Sequence, residues 1–266
     1  AEIFSIHMKH SRPADMKEIY ALRADTIDYF FPDRNDEIEI WADIAENYGK
    51  EVLHLMCGTG ELTVGLAQKG FHVTGLDFTE AMIYHAREHI QNSDIDGIEI
   101  VQDDARHFSL NKKYDFIFVS TGDFHHLVER EEIDSFLAKA YAHLKSGGAL
   151  GIELYVPPEK DFKKDGRKYT PIRKPPDNYT IWRKNKISYH IDKKLLEIIE
   201  EFHYEENSDV KDAEYEILLR LFPRIEIETI LKDAGFDEVK HQHGSNFSPY
   251  LPGEYSKTWI IVAEKH

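Results

Sequence analysis

Apolar and polar positions change period repeatedly along this chain. Between residues 14 and 48, Ile19, Leu22, Ile27, Ile38, Ile40, Trp41, Ile44 and Ala45 recur at mixed spacings of three and four. That spacing predicts helix, interrupted near Pro32. A short apolar run over 52–56 then enters the turn Gly58-Thr59-Gly60. Leu62, Leu66 and Ala67 mark the inner face of a helix that starts near Glu61 and stops at Gly70. The alternation goes on with a strand over 71–76 ending at Asp77. A helix follows with Thr79 as N-cap and Met82, Ile83, Ala86 and Ile90 on one face. Next come a strand over 98–101 ending in Asp103-Asp104 and a strand over 114–119. A helix over 131–144, with Gly147-Gly148 as its terminator, leads into a strand over 149–156.

Strands separated by single helices predict a parallel sheet with right-handed crossovers. The rhythm breaks at Pro157-Pro158. Residues 157–178, basic and rich in proline, read as a loop. Three β-like runs then follow with no helix between them, at 179–191, 195–204 and 213–222, with turns at Asp192-Lys193-Lys194 and Asn207-Ser208-Asp209. The α/β pattern returns with a helix over 226–234 closed by Gly235, then strands near 236–243 and 259–264. The expected fold is α/β, a doubly wound, mostly parallel seven-stranded sheet with an inserted small antiparallel sheet. Its expected divisions are a helical cap at 1–48, a core at 49–156 and 225–266, and an insert at 157–224.

Composition narrows the classes. The 266 residues are 41% hydrophobic and 31% charged, which is ordinary for a globular protein. No apolar run approaches a membrane span, and the first residues show no signal-peptide core, so a cytoplasmic location is expected. A single cysteine, Cys57, excludes an internal disulfide and any multi-cysteine zinc site. Beside a glycine turn it could be a nucleophile, but such a residue is more often a small buried one. The net charge of −16 argues against nucleic acid and anionic membranes as partners. Locally the balance reverses, because nine lysines and arginines between Lys163 and Lys186 face only Asp165 and Asp177.

In doubly wound sheets, ligands bind beyond the carboxyl ends of the strands, and the glycine turn belongs there. A phosphate loop needs Gly-Lys-Ser/Thr, whereas this turn offers Gly60-Glu61-Leu62. A dinucleotide fingerprint needs a third glycine where Thr63 stands, and Glu61 at the helix start would repel a pyrophosphate. S-adenosylmethionine carries no phosphate. It needs close backbone approach and a carboxylate for its ribose, and Asp77 and Asp104 end consecutive strands. The stretch "VLHLMCGTGELTVGLAQKGFHVTGLDFTEAMI" followed by "VQDDARHF" resembles class I S-adenosylmethionine-dependent methyltransferases, which have a Rossmann-like sheet. The resemblance covers roughly 50–156 and 225–266. It implies that the backbone around Met56, Cys57, Gly58 and Gly60 meets the methionine part and that Asp77 binds the ribose. It places Phe78, Met82, Asp103, Asp104 and Ala105 around adenine, and Ser120 and Thr121 near the amino-acid end. His54 stands where that family usually has an acidic residue, and Met56 where it has a small one.

The implied reaction moves a methyl group to an amine or hydroxyl of a small molecule. The segment "STGDFHHL" at 120–127 lacks the signature of enzymes that methylate nucleic-acid bases. Asp123, His125 and His126 lie at the carboxyl edge of the sheet. The histidines are candidate bases, with packing or helix capping as the alternative for each. His85 and His89, four apart on a helix, lack a third ligand, so no metal is expected. Tyr20 and Tyr29 resemble tyrosines that cover the cofactor in small-molecule methyltransferases, Tyr20 being also a candidate catalytic group; core packing is the alternative. The insert resembles the lids of glycine-type and nucleotide-sugar amine N-methyltransferases. Its Tyr179, Trp182, Tyr189, Phe202 and Tyr204 could line an acceptor pocket or form a homodimer interface. An NAD(P)-dependent oxidoreductase and a non-catalytic adenosyl-binding regulator remain as alternative readings.

Overall fold

A computed structural model describes residues 6–7, 23–24, 26–30, 34–155, 167–169, 172–173, 179–206, 209–244 and 258–266. Among these, the chain runs β1 (Ile6–His7), α1 (Ile27–Phe30), α2 (Asn35–Ala45), β2 (Glu51–Leu55), α3 (Glu61–Gln68), β3 (His72–Asp77), α4 (Glu80–Ser93), β4 (Ile98–Gln102), β5 (Tyr114–Val119), α5 (Arg130–His143) and β6 (Leu144–Tyr155). The second half adds β7 (Arg167–Tyr169), β8 (Ile172–Arg173), β9 (Tyr179–His190), β10 (Leu195–Glu206), β11 (Asp209–Arg220), α6 (Arg224–Asp233), β12 (Glu238–His243) and β13 (Thr258–Glu264).

Seven strands form the main sheet in the order β12-β13-β6-β5-β2-β3-β4. The pairs among β2 to β6 are parallel, and β13 lies antiparallel to both β6 and β12. Strand order reverses between β2 and β5, which opens a crevice at their carboxyl ends. The central strands read as unbroken apolar runs because helices cover both faces. Leu53, Leu55, Ile117 and Val119 face one core with Ile133, Phe136 and Leu137 of α5. Val52, Phe116 and Phe118 face the other, with Trp41 of α2 and Leu62 and Leu66 of α3.

The insert is a second sheet in which β10 pairs antiparallel along its length with β9 and with β11. Its inner face buries Ile181, Ile187, Leu196, Ile198, Phe202, Ile217 and Leu219. Mid-face, the buried Glu200 carboxylate accepts the Tyr215 hydroxyl and lies 3.7 Å from both Arg183 and Arg23. Each of these charges has an opposite neighbour, as burial requires. Trp182 is on the outer face, stacked on His203 with ring centroids 5.0 Å apart. Phe202 is therefore a core residue of the insert, and Tyr189 packs against that core with its hydroxyl 3.3 Å from that of Tyr155. The side chains of Tyr179 and Tyr204 lie outside the described residues.

Four expectations need correction. The segment before residue 48 is not helical throughout, because Ile6–His7 pairs parallel with β11 at Ala213 and Glu214. The stretch 157–178 is not only loop, since β7 and β8 both pair with β9. Gly147 and Gly148 do not terminate α5, which ends at His143 where the chain turns extended at Leu144. Instead Gly147, at φ +77°, donates its amide to the Lys265 carbonyl, and Gly148 accepts the Lys265 amide. Thr79 does precede α4, but its hydroxyl makes no capping bond.

Gly151 of β6 has a packing role. A Cβ there would stand 2.7 Å from both the Phe116 and Trp41 rings. Gly151→Ala is expected to lower stability by about 1–3 kcal/mol. Urea unfolding should show an earlier midpoint with an unchanged slope.

Candidate functional site

The loop after β2 packs three left-handed residues into five positions, with Met56 at φ +55°, Gly58 at +56° and Gly60 at +81°. For Met56 that conformation costs of order 1–2 kcal/mol, and it persists because the loop is fixed on both sides. The Cys57 amide donates to Leu76 O at 2.9 Å, and the Gly60 amide donates to Cys57 O at 3.1 Å. A Cβ at Gly60 would press on Ala86 of α4 at 3.0 Å, so the turn and that helix approach closely. Nothing lies within 4 Å of the place a Cβ at Gly58 would occupy, so space is open over the middle of the loop. Cys57 is buried, and burial together with the nearby Asp77 charge pushes its thiol well above the usual range. That thiol is not a nucleophile near neutral pH.

Asp77, buried at the end of β3, takes the Gly58 amide at 3.0 Å on Oδ2 and the Thr79 amide at 2.8 Å on Oδ1. Burial raises its pKa against the lowering effect of those bonds. Phe78 follows at the strand end, and Met82 is buried on α4. Beyond β4 the Asp103 amide donates to Asp77 O at 3.1 Å, Asp103 Oδ1 accepts the Asp104 amide, and Ala105 is buried. The Asp104 carboxylate is held by the Arg106 guanidinium, with Nε 2.9 Å from Oδ1 and Nη2 2.6 Å from Oδ2. Burial is the largest single effect and raises its pKa, but the hydrogen bonds and charge of Arg106 together outweigh it and leave the carboxyl lowered.

His54, the departure from the family pattern, is the centre of a buried polar chain. Its Nδ1 meets Thr63 Oγ1 at 3.0 Å and its Nε2 meets Ser120 Oγ at 3.1 Å, while its ring stacks on Phe118 at 4.2 Å. Ser120 Oγ continues to Thr121 Oγ1 at 3.0 Å, which accepts Arg34 Nη2 at 2.7 Å. Arg34 is forked onto Glu37, and the Thr121 amide donates to the buried Glu153 at 2.9 Å. Burial and the Arg34 charge lower the His54 pKa to about 3, so the ring works as a neutral connector. The Glu61 carboxyl at the start of α3 is half-buried and raised to about 7, first by burial and then by Asp28. Asp28 itself accepts the Thr59 hydroxyl at 2.8 Å and lies 3.5 Å from His89, which fastens α1 to the glycine loop.

The two candidate bases are poor ones. His125 is buried with both nitrogens committed to backbone. Nδ1 donates to Arg220 O at 2.5 Å and Nε2 accepts the Tyr155 amide at 2.8 Å. Burial lowers its pKa to about 4. The imidazole thus ties together the two points where the chain leaves and re-enters the main sheet. The His126 ring is lowered to about 3 by burial, Arg23 and His125. Tyr20 lies outside the described residues, as does the side chain of Tyr29. His85 and His89 do not converge: His85 pairs with Glu88, whereas His89 Nδ1 bonds to Thr59 O. Arg34, Asp28 and Glu153 belong to the site without any sequence signal. They come from a segment of mixed periodicity and from the middle of an apolar strand.

Residues 52–148 match the family model described as a methyltransferase domain. The putative methyltransferase YqeM of Bacillus subtilis is 25% identical over 239 residues, covering 86% of this chain and 90% of that protein. Among solved structures, Streptomyces venezuelae DesVI superposes with a TM-score of 0.70 at 21% identity, covering 97% of this chain and 100% of that one. CalS10, an S-adenosylmethionine-bound amino pentose methyltransferase from Micromonospora echinaspora, superposes at 0.66 with 21% identity, covering 96% and 99%.

The buried histidines make a pH-dependent contribution to stability. Their folded pKa values of about 3 for His54 and about 4 for His125 lie below the roughly 6.5 of an unfolded histidine. The unfolded chain therefore takes up protons first. The contribution is complete above pH ~6.5 and is lost as pH falls from there through the folded values. Tm should drop across that window, less steeply in His125→Phe. At pH 7.5 that variant should be less stable by about 2 kcal/mol or more, because two buried backbone groups lose their partner.

Proposed function

We propose, from the premise that residues 52–148 are a methyltransferase domain, that this protein transfers the methyl group of S-adenosylmethionine to an amine or hydroxyl of a small molecule. S-adenosylhomocysteine is the by-product. The observation that carries the reading is the buried Asp77 carboxylate at the end of β3, bonded to the loop after β2 beside the open space over Gly58. A ribose offers two neighbouring hydroxyl donors to such a group, and the turn Gly58-Thr59-Gly60-Glu61 itself contains no phosphate-binding lysine. When bound, the cofactor supplies an electrophilic methyl on a sulfonium sulfur.

The chain's own residues bind and align. Backbone at Met56, Cys57, Gly58 and Gly60 contacts the methionine part. Phe78, Met82, Asp103, Asp104 and Ala105 surround the adenine. Ser120 and Thr121, oriented by the His54 chain, bound the amino-acid end, where the Arg34 guanidinium complements a carboxylate. The acceptor nucleophile enters from the side of the insert and displaces the thioether in line, so alignment is the main contribution to rate. Likeness to an amino pentose methyltransferase supports a sugar-like acceptor. Among the described residues no helix is long and apolar enough to cross a membrane. A cytoplasmic location completes the proposal, with the buried free thiol in support. Exposed Val210 and Leu218 on the outer face of the insert support pairing of two copies there, which sedimentation at two concentrations reads as a dimer.

Calorimetry should find S-adenosylhomocysteine bound and NAD not bound; the reverse result would favour the oxidoreductase. Asp77→Asn should weaken S-adenosylhomocysteine about tenfold to a hundredfold, the worth of a charge-assisted hydrogen bond. Unchanged affinity would remove Asp77 from the ribose. Release of S-adenosylhomocysteine with any amino sugar tested would exclude a regulator without catalysis.

A further inference from the structure

β5 ends at Val119, and after Ser120 the chain turns through two successive left-handed residues, Thr121 at φ +62° and Gly122 at +76°. This turn sets Asp123 at the head of the 3-10 turn Asp123–His126, with its amide on Ser120 O at 3.0 Å. Among the described residues the half-buried Asp123 carboxylate has no hydrogen-bond or ion-pair partner. Charged groups from several elements act on it: Asp77 of β3, Arg34 and Arg23 from the N-terminal segment, and Glu153 of β6. Cys57 of the glycine loop, in turn, feels the Asp123 charge.

We propose that Asp123 is the acceptor-side anion of this site: it holds the acceptor as an ammonium, takes its proton, and so makes the substrate an amine rather than an alcohol. This rests on the methyltransferase reading above. The other titratable groups at this edge are unsuited to the task. His125 has both nitrogens committed, the His126 ring is a weak base, and the Cys57 thiol stays protonated. Burial and the Asp77 charge raise Asp123 to about 7, offset in part by Arg34 and Arg23. A carboxylate of that basicity can take a proton from an alkylammonium whose own pKa, near 10.4 in a lysine side chain, is lowered by an adjacent sulfonium. It cannot do so from an aliphatic alcohol, which is far less acidic. In the step, an ammonium N–H bond breaks and its proton passes to the Asp123 oxygen. The nitrogen lone pair then forms the C–N bond while the S–CH3 bond breaks and its electron pair returns to sulfur.

Sinefungin tests this without knowledge of the acceptor, because it carries an amine-bearing carbon in place of the sulfonium. The wild-type protein should bind sinefungin at least about tenfold more tightly than S-adenosylhomocysteine near pH 8. That preference should shrink as pH falls through about 7, where Asp123 takes up a proton. In Asp123→Asn, and equally in Asp123→Ser, the preference and its pH dependence should vanish. Affinity for S-adenosylhomocysteine should stay within about twofold, which also reports that the variant is folded. Glu61→Gln removes the other carboxyl raised to about 7 and should keep the preference. A wild-type protein without the preference, or a preference that survives in Asp123→Asn, overturns the assignment. Failure of the wild-type protein to bind S-adenosylhomocysteine overturns instead the reading on which it rests.

Discussion

Asp77 takes the Gly58 amide on one carboxylate oxygen and the Thr79 amide on the other, and this fork fixes how the loop after β2 sits over the end of β3. Without an anion there, two backbone donors at a buried strand end would lack a partner, and the strained Met56 would lose part of what restrains it. The same carboxylate raises the proton affinity of Cys57 and Asp123. One carboxylate thus shapes the loop geometry and adds to the burial that keeps the thiol protonated.

A second constraint is neutrality at the centre. The position usually acidic in class I methyltransferases holds His54 here, which reaches Thr63 on one side and Ser120 on the other and stays uncharged. An imidazole spans that gap through two nitrogens, each with a defined partner, and its flat ring stacks on Phe118. The histidine therefore transmits orientation rather than charge, and the positive end of its chain is Arg34.

The centre of the main sheet was legible because its strands are buried on both faces. The bounds of β5 follow directly from the run Tyr114–Val119, and Asp77 and Asp104 stand where alternating strands and helices put them. What sequence reasoning missed depends on distant partners. β1 is two residues long and exists through Ala213 and Glu214, some two hundred positions away. Gly147 and Gly148 look like a helix terminator but serve the Lys265 backbone. The site was half legible. Strand-end carboxylates and the glycine turn have local signatures, whereas Arg34 and Asp28 reach the site from a segment of mixed periodicity. His125 and His126 look like bases in a string of letters. Only packing reveals that one of them is consumed by backbone bonds.

That consumption bears on how such a protein can change. The excursion between Tyr155 and Arg220 leaves and returns within reach of a single ring, so its two ends are a fixed pair of anchor points on the main sheet. Side chains between those anchors can be exchanged with little disturbance to the carboxyl ends of β2, β3 and β4. The insert and the strand ends around Asp77 are thus joined at one point, and the link between them is an imidazole too buried to titrate in the physiological range.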